Sequence, residues 1–141
     1  MRLFVAVWPP QPVVDVLAGL ERPPVEGLRW TTPAQWHVTL RFIGSAEPSS
    51  VGPLPDVRGR ALSLGPATVR LGRHVLVVPV AGLDDVVEGG RPHLTLARAK
   101  RGIPGSLVDV PVSASWTSGP ATLVSSETLP GGARYTILRD A

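Results

Sequence analysis

The chain has 141 residues, no cysteine, a formal net charge of +3 and 43% hydrophobic residues. That is enough apolar material for one packed domain and argues against a disordered polymer. The absence of cysteine excludes disulfides, thiolate nucleophiles and cysteine metal sites, and the small net charge excludes a protein that grips long nucleic acid through its phosphates alone. Lys100 is the only lysine, so nearly all the positive charge is guanidinium, a planar fork of donors that matches phosphate oxygens.

Leu3 to Trp8 reads as a strand ended by Pro9-Pro10. Val13, Val14, Leu17 and Leu20 recur at helical spacing and predict a short amphipathic helix over Gln11 to Glu21, stopped by Pro23-Pro24. Trp36 to Ile43 reads as a strand, with Trp36, Val38, Leu40 and Phe42 on one face and His37, Thr39 and Arg41 on the other. Ser45 to Arg60, rich in Pro, Gly and Ser, reads mostly as loop. Ala67 to Leu71 and His74 to Val80 read as a hairpin around Gly72-Arg73, and Leu83 to Glu88 has the pattern of one or two helical turns. Pro92 to Ala99 reads as a strand with His93, Thr95 and Ala97 on one face; His74, with no threonine partner, reads as a solvated residue. Strands follow near Val110 to Trp116, Ala121 to Thr128 and Ala133 to Arg139, the last two joined by Pro130-Gly131-Gly132. Strands outnumber helices and neighbours are mostly antiparallel, which predicts an α+β fold in a single domain over 1–141. The apolar opening Met1 to Pro9 is too short for a secretory signal, and no stretch has the length of a membrane span. A soluble, cytoplasmic, monomeric protein is therefore expected.

The chain repeats one short pattern: His37-Val38-Thr39-Leu40 and His93-Leu94-Thr95-Leu96. Two such His-x-Thr-Leu runs among three histidines arise by chance on the order of once in several thousand shuffled chains. On a strand, residues i and i+2 point the same way about 7 Å apart, so an imidazole and a hydroxyl reach one phosphate together. If the two strands meet across a groove, two imidazoles and two hydroxyls converge. That set suits in-line displacement at phosphorus, one neutral imidazole taking a proton and one imidazolium giving one, because histidine populates both states near neutral pH. Two histidines with Asp84 or Asp85 are the nearest approach to a metal site, but no third ligand has diagnostic spacing, so neither metal nor cofactor is expected.

Paired His-x-Thr-x motifs are the signature of the 2H phosphoesterase superfamily, and the chain resembles its bacterial RNA 2′,3′-cyclic phosphodiesterases, historically called 2′-5′ RNA ligases. The resemblance rests on Arg2-Leu3-Phe4-Val5-Ala6, on Arg29-Trp30 followed by His37 through Gly44, on Arg91-Pro92-His93-Leu94-Thr95-Leu96-Ala97-Arg98, and on Leu123 to Glu127 with Gly132 to Tyr135. It implies two pseudo-symmetric lobes of antiparallel sheet around a central cleft, each lobe supplying one motif. It further implies metal-independent hydrolysis of RNA-terminal 2′,3′-cyclic phosphate, or of small cyclic nucleotides, to a 2′-phosphate. His37 and His93 would be catalytic, with the acid role on His37 and water activation on His93. Thr39, Thr95 and Arg98 would bind phosphate. Trp30, Phe4 and Arg41 are candidate base or ribose contacts. The chain is shorter than most of that family, and the helices after the first motif and before the second are the pieces missing. A related enzyme acting on another cyclic phosphate or a 2′-5′ linkage, or a non-catalytic RNA-end binding module, are the alternatives.

Overall fold

In a computed structural model, which describes residues 1–141, the β-rich sequence becomes ten strands and one α-helix. The helix, α1 (Gln11–Ala18), starts where Pro10 and Pro12 can sit in the first turn without a lost hydrogen bond, and buries Val13 and Leu17. It ends three residues before the sequence expectation because Gly19 closes it and Leu20 turns back to the Leu17 carbonyl.

The strands are β1 (Arg2–Val7), β2 (Leu28–Trp30), β3 (Val38–Ser45), β4 (Ala61–Leu64), β5 (Val69–Leu71), β6 (Val75–Ala81), β7 (His93–Ala99), β8 (Ala114–Thr117), β9 (Thr122–Leu129) and β10 (Gly132–Asp140). They pair antiparallel in the order β10-β9-β1-β3-β7-β6-β4-β8, with β2 added on β7 and β5 on β6. The chain's two ends thus build one lobe (β1, β3, β9, β10) and its middle builds the other (β2, β4 to β8). A core of 25 buried residues draws on both lobes, with Trp36, Val38, Leu40, Leu94 and Leu96 where they meet. β1 is buried from Leu3 to Val7: Leu3, Val5 and Val7 face that core, while Phe4 and Ala6 pack with Val124 on the opposite face.

Two strands have no counterpart in the sequence reading, β2 and β4, each too short to show a period. The strand expected from Val110 begins only at Ala114; before it, Pro111 makes one isolated bridge to Ala67. Neither missing helix is replaced. Ser45 to Arg60 carries one 3-10 turn (Pro48–Ser50), and Leu83 to Glu88 makes a single turn, Val87 N–H donating to the Leu83 carbonyl at 3.1 Å. The first loop is held by buried Val57 and by Arg139, whose Nη2 donates to the Val51 and Gly52 carbonyls at 2.9 Å each. No helix is long and apolar enough to cross a membrane.

Candidate active site

The lobes join through a single register pair: Val38 of β3 lies opposite Leu94 of β7. Both side chains are fully buried. Residues one step away on either strand point to the opposite face, so His37, Thr39, His93 and Thr95 all face a shared cleft of about 540 Å³. The two motifs are related by the local two-fold that any antiparallel pair creates about its centre.

Each motif then makes the same irregularity. In the β1–β3 ladder Ala6 pairs with Thr39 and Val5 with Arg41, so Leu40 is an extra residue. In the β6–β7 ladder Val77 pairs with Thr95 and Leu76 with Ala97, so Leu96 is extra. A bulge of this kind reverses the alternation beyond it. The residue three places after each threonine, on the wrong face in a regular strand, is therefore turned into the cleft: Phe42 in one lobe and Arg98 in the other. Both bulged carbonyls are satisfied, Leu40 by the Glu88 N–H at 2.9 Å and Leu96 by the Thr31 N–H at 2.8 Å and hydroxyl at 2.9 Å. The Thr31 oxygen in turn accepts from Trp36 Nε1 at 2.9 Å.

The bulges correct two expectations. Phe42 does not join Trp36, Val38 and Leu40 in the core; it is 78% exposed at the cleft, its ring 6.3 Å from that of Phe4. Ala97 is not on the His93 face but fully buried. Arg41, shifted opposite Val5, lines the cleft rim with its Nε 3.9 Å from Glu88 Oε1.

The histidines share an anchor and differ in surroundings. His37 Nδ1 is 2.8 Å from the Gln35 carbonyl and His93 Nδ1 is 2.7 Å from the Arg91 carbonyl, each two residues back. A carbonyl only accepts, so Nδ1 carries the hydrogen in both rings and Nε2 is left for the cleft. His37 Nε2 accepts from the Thr39 hydroxyl at 2.9 Å; His93 Nε2 and the Thr95 hydroxyl bond to nothing within the chain. Around His37 stand Phe4 (ring centres 4.9 Å), Tyr135 (5.1 Å, edge-on) and Trp8 (5.3 Å). Burial there pushes its pKa from 6.5 down to about 4, with His93 and Arg98 adding to the depression and the Gln35 carbonyl opposing it. Burial also raises Tyr135, against the pull of Arg98, so its hydroxyl stays protonated.

Of the residues singled out from sequence, His37, His93, Thr39, Thr95, Arg98, Phe4 and Arg41 line this one cleft. Trp30 does not: its indole N–H donates to the Pro23 carbonyl at 3.1 Å and its ring packs on the core. Asp85 does not join the histidines: it is held by Arg60 through two bonds of 2.6 and 2.9 Å, and no group of three or more metal-ligating side chains forms. The cleft also holds Arg29, Gln35, Phe42 and Tyr135, to which the sequence reading gave no site role. Arg29 lies opposite Arg98 across β2–β7. Gln35 donates to the Ala133 carbonyl at 2.8 Å, tying the first motif to the β9–β10 hairpin where Gly132 has a φ of +123° and a Cβ would crowd Gln35 Nε2 at 3.2 Å. Tyr135, the chain's only tyrosine, stood within the matched tail; its place in the closing hairpin was the available signal.

Comparison with solved structures gives the same fold. TT0787 of Thermus thermophilus superposes with a TM-score of 0.82 at 24% identity, over 99% of this chain and 96% of that one. E. coli LigT bound to 3′-AMP superposes with a TM-score of 0.77 at 23% identity over the same shares of the two chains. The chain has the 2H phosphoesterase fold. A further structure with that fold, described as a phosphoesterase, aligns at 0.76 and 22% identity over 99% and 96% of the two chains. No protein-family model and no curated protein sequence matches the chain. The 2H fold is therefore read from tertiary structure, and what the site does rests on its own geometry.

Proposed function

We propose that the chain is a phosphodiesterase that opens the 2′,3′-cyclic phosphate at RNA ends to a 2′-phosphate, without metal, using His37 and His93 as its proton-transfer pair. The observation that carries the reading is the Val38–Leu94 pairing, which turns both histidines and both threonines onto one cleft. Further support comes from LigT, which shares the fold and has been crystallised with 3′-AMP, NADP+ and ATP.

In the proposed reaction the cyclic phosphate sits between the imidazoles, its non-bridging oxygens bonded by the Thr39 and Thr95 hydroxyls and the Arg98 guanidinium. Water attacks phosphorus in line with the P–O3′ bond. One Nε2 takes a proton from the water; the other histidine gives one to O3′ as that bond breaks. The products are a 2′-phosphate and a free 3′-hydroxyl. Burial favours a definite division of labour. An imidazole held near pKa 4 is neutral at pH 7 and ready to accept, so His37 is assigned as base, which leaves the acid role to His93. This reverses the roles implied by the resemblance. Phe4 and Phe42 offer the apolar wall for base or ribose.

The test is hydrolysis of a 2′,3′-cyclic nucleotide in EDTA. His37→Ala and His93→Ala are each expected to lower kcat by about 10²–10⁴-fold with an unchanged circular dichroism spectrum. Normal turnover in either variant ends the proposal. A panel including 2′-5′ linked oligonucleotides and other cyclic phosphates separates this substrate from its relatives, and strong dependence on added metal would remove the metal-free mechanism.

A further inference from the structure

The cleft is not closed on the side of Arg98. Arg29 and Arg98, directly opposite each other across β2–β7, line the cleft and also an open hollow beyond it, whose other walls include His74 and Lys100. Another hollow is walled by Arg70, Arg73 and Arg101, the last two being chain neighbours of His74 and Lys100. Among these cations the one ion pair is Arg101 Nη2 with Glu26 Oε1 at 3.4 Å, between two exposed side chains; Arg29, Arg98, Arg73 and Lys100 have no acidic partner. Like charges directly opposite on a sheet are destabilising, and an anion lying between them removes that repulsion. His74 is fixed by its Nδ1 to the Ala99 carbonyl at 2.9 Å, which turns its other nitrogen outward. Six of the chain's 14 lysine and arginine side chains, Arg29, Arg70, Arg73, Arg98, Lys100 and Arg101, wall these two hollows.

We infer that this basic edge is the path of the RNA chain leading to the reacting end: the phosphates upstream of the cyclic phosphate pass between Arg29 and Arg98 and then over His74, Lys100, Arg73 and Arg101. The inference rests on the proposed function and specifies it, because the substrate becomes an oligonucleotide 3′ end rather than a free cyclic nucleotide. From Thr95 to Lys100, five residues along β7 and the turn after it, the path is about 16 Å long, more than one nucleotide. The contacts are to backbone phosphate, so they set length preference and salt dependence and carry no base preference.

The experiment compares a 2′,3′-cyclic mononucleotide with a 5′-labelled hexanucleotide ending in 2′,3′-cyclic phosphate, for the wild type and a Lys100→Ala/Arg101→Ala variant. Both side chains are exposed and Arg101 makes only a surface pair, so the fold is retained. The wild type is expected to favour the hexanucleotide by about tenfold in kcat/KM. The variant should lose most of that advantage through KM while leaving the mononucleotide unchanged, and the slope of log affinity against log salt should shrink by about 1.4. Equal efficiency on both substrates in the wild type, or an unaltered hexanucleotide response in the variant, overturns the path and leaves the proposed reaction standing. Should the wild type hydrolyse neither substrate, the reaction is wrong; fluorescence anisotropy of the labelled hexanucleotide still judges the path, weaker binding by the variant supporting it and equal binding refuting it.

Discussion

The two motif strands carry the same four-residue pattern, the same bulge and the same imidazole-to-carbonyl anchor, yet they present opposite surroundings. In the β3 half, His37 is enclosed by Phe4, Trp8 and Tyr135, and the bulge delivers Phe42 to the cleft. In the β7 half, His93 has no aromatic ring packed against it and the identical bulge delivers Arg98. A backbone irregularity therefore fixes where a side chain arrives, and the residue at that place decides whether the lobe offers an apolar wall or a charge. The unequal walls also split the behaviour of two chemically identical rings, since desolvation resists protonation on the enclosed side.

The largest expected effect tests the two delivered side chains against each other. Arg98→Ala should lower kcat by about 10²–10³-fold, the range for removing a donor from developing charge, and Arg98→Lys should recover little because the bidentate fork is lost. Phe42→Ala should instead raise KM with kcat nearly intact. Steady-state kinetics that give both variants the same signature would erase the proposed division.

Next comes stability against pH. Between the ordinary value of 6.5 and about 4, the unfolded chain takes up a proton that folded His37 refuses, so stability falls as pH drops through that window. The full loss is up to about 3 kcal/mol. Chemical denaturation at pH 7 and pH 4 should show the wild type losing that much more than a His37→Gln variant; parallel losses would mean His37 is not enclosed in solution.

A somewhat smaller effect concerns the β7 bulge. Thr31→Val removes one of the two donors to the Leu96 carbonyl and the only acceptor for Trp36 Nε1, leaving that indole N–H unpaired at about 1–3 kcal/mol. Because the bulge positions Arg98, kcat should fall as well, and Thr31→Ser should restore both. Loss of stability with full kcat would show that the bulge holds without Thr31.

The smallest effect sharpens the enclosure of His37. Phe4→Ser admits water to that ring and should move the acid limb of kcat/KM from near 4 toward 6.5, an activity loss of up to about thirtyfold at pH 5. A limb that stays in place would point to another group as base.

How much was legible beforehand differs along the chain. The main strands, the helix and the motif pair were readable because β1, β3 and β7 are long enough to show their period. β2 and β4 were not, since three or four residues carry no periodic signal and become strands only by lying against β7, β6 and β8. Trp30 was a candidate base or ribose contact because aromatic residues near a motif invite that reading, whereas tertiary packing turned its indole to Pro23.

By itself the sequence determined the pairing of imidazole with hydroxyl at a two-residue offset and the local anchors that fix each ring, since these depend only on strand geometry and near neighbours in the chain. Only tertiary structure decided that Val38 meets Leu94, that each motif leucine is a bulge, and that one histidine is walled by aromatic rings while its counterpart is not. Those outcomes depend on contacts between segments far apart in the chain, Thr31 with Leu96, Glu88 with Leu40, Tyr135 with His37, and a pattern of nearest neighbours carries no information about them.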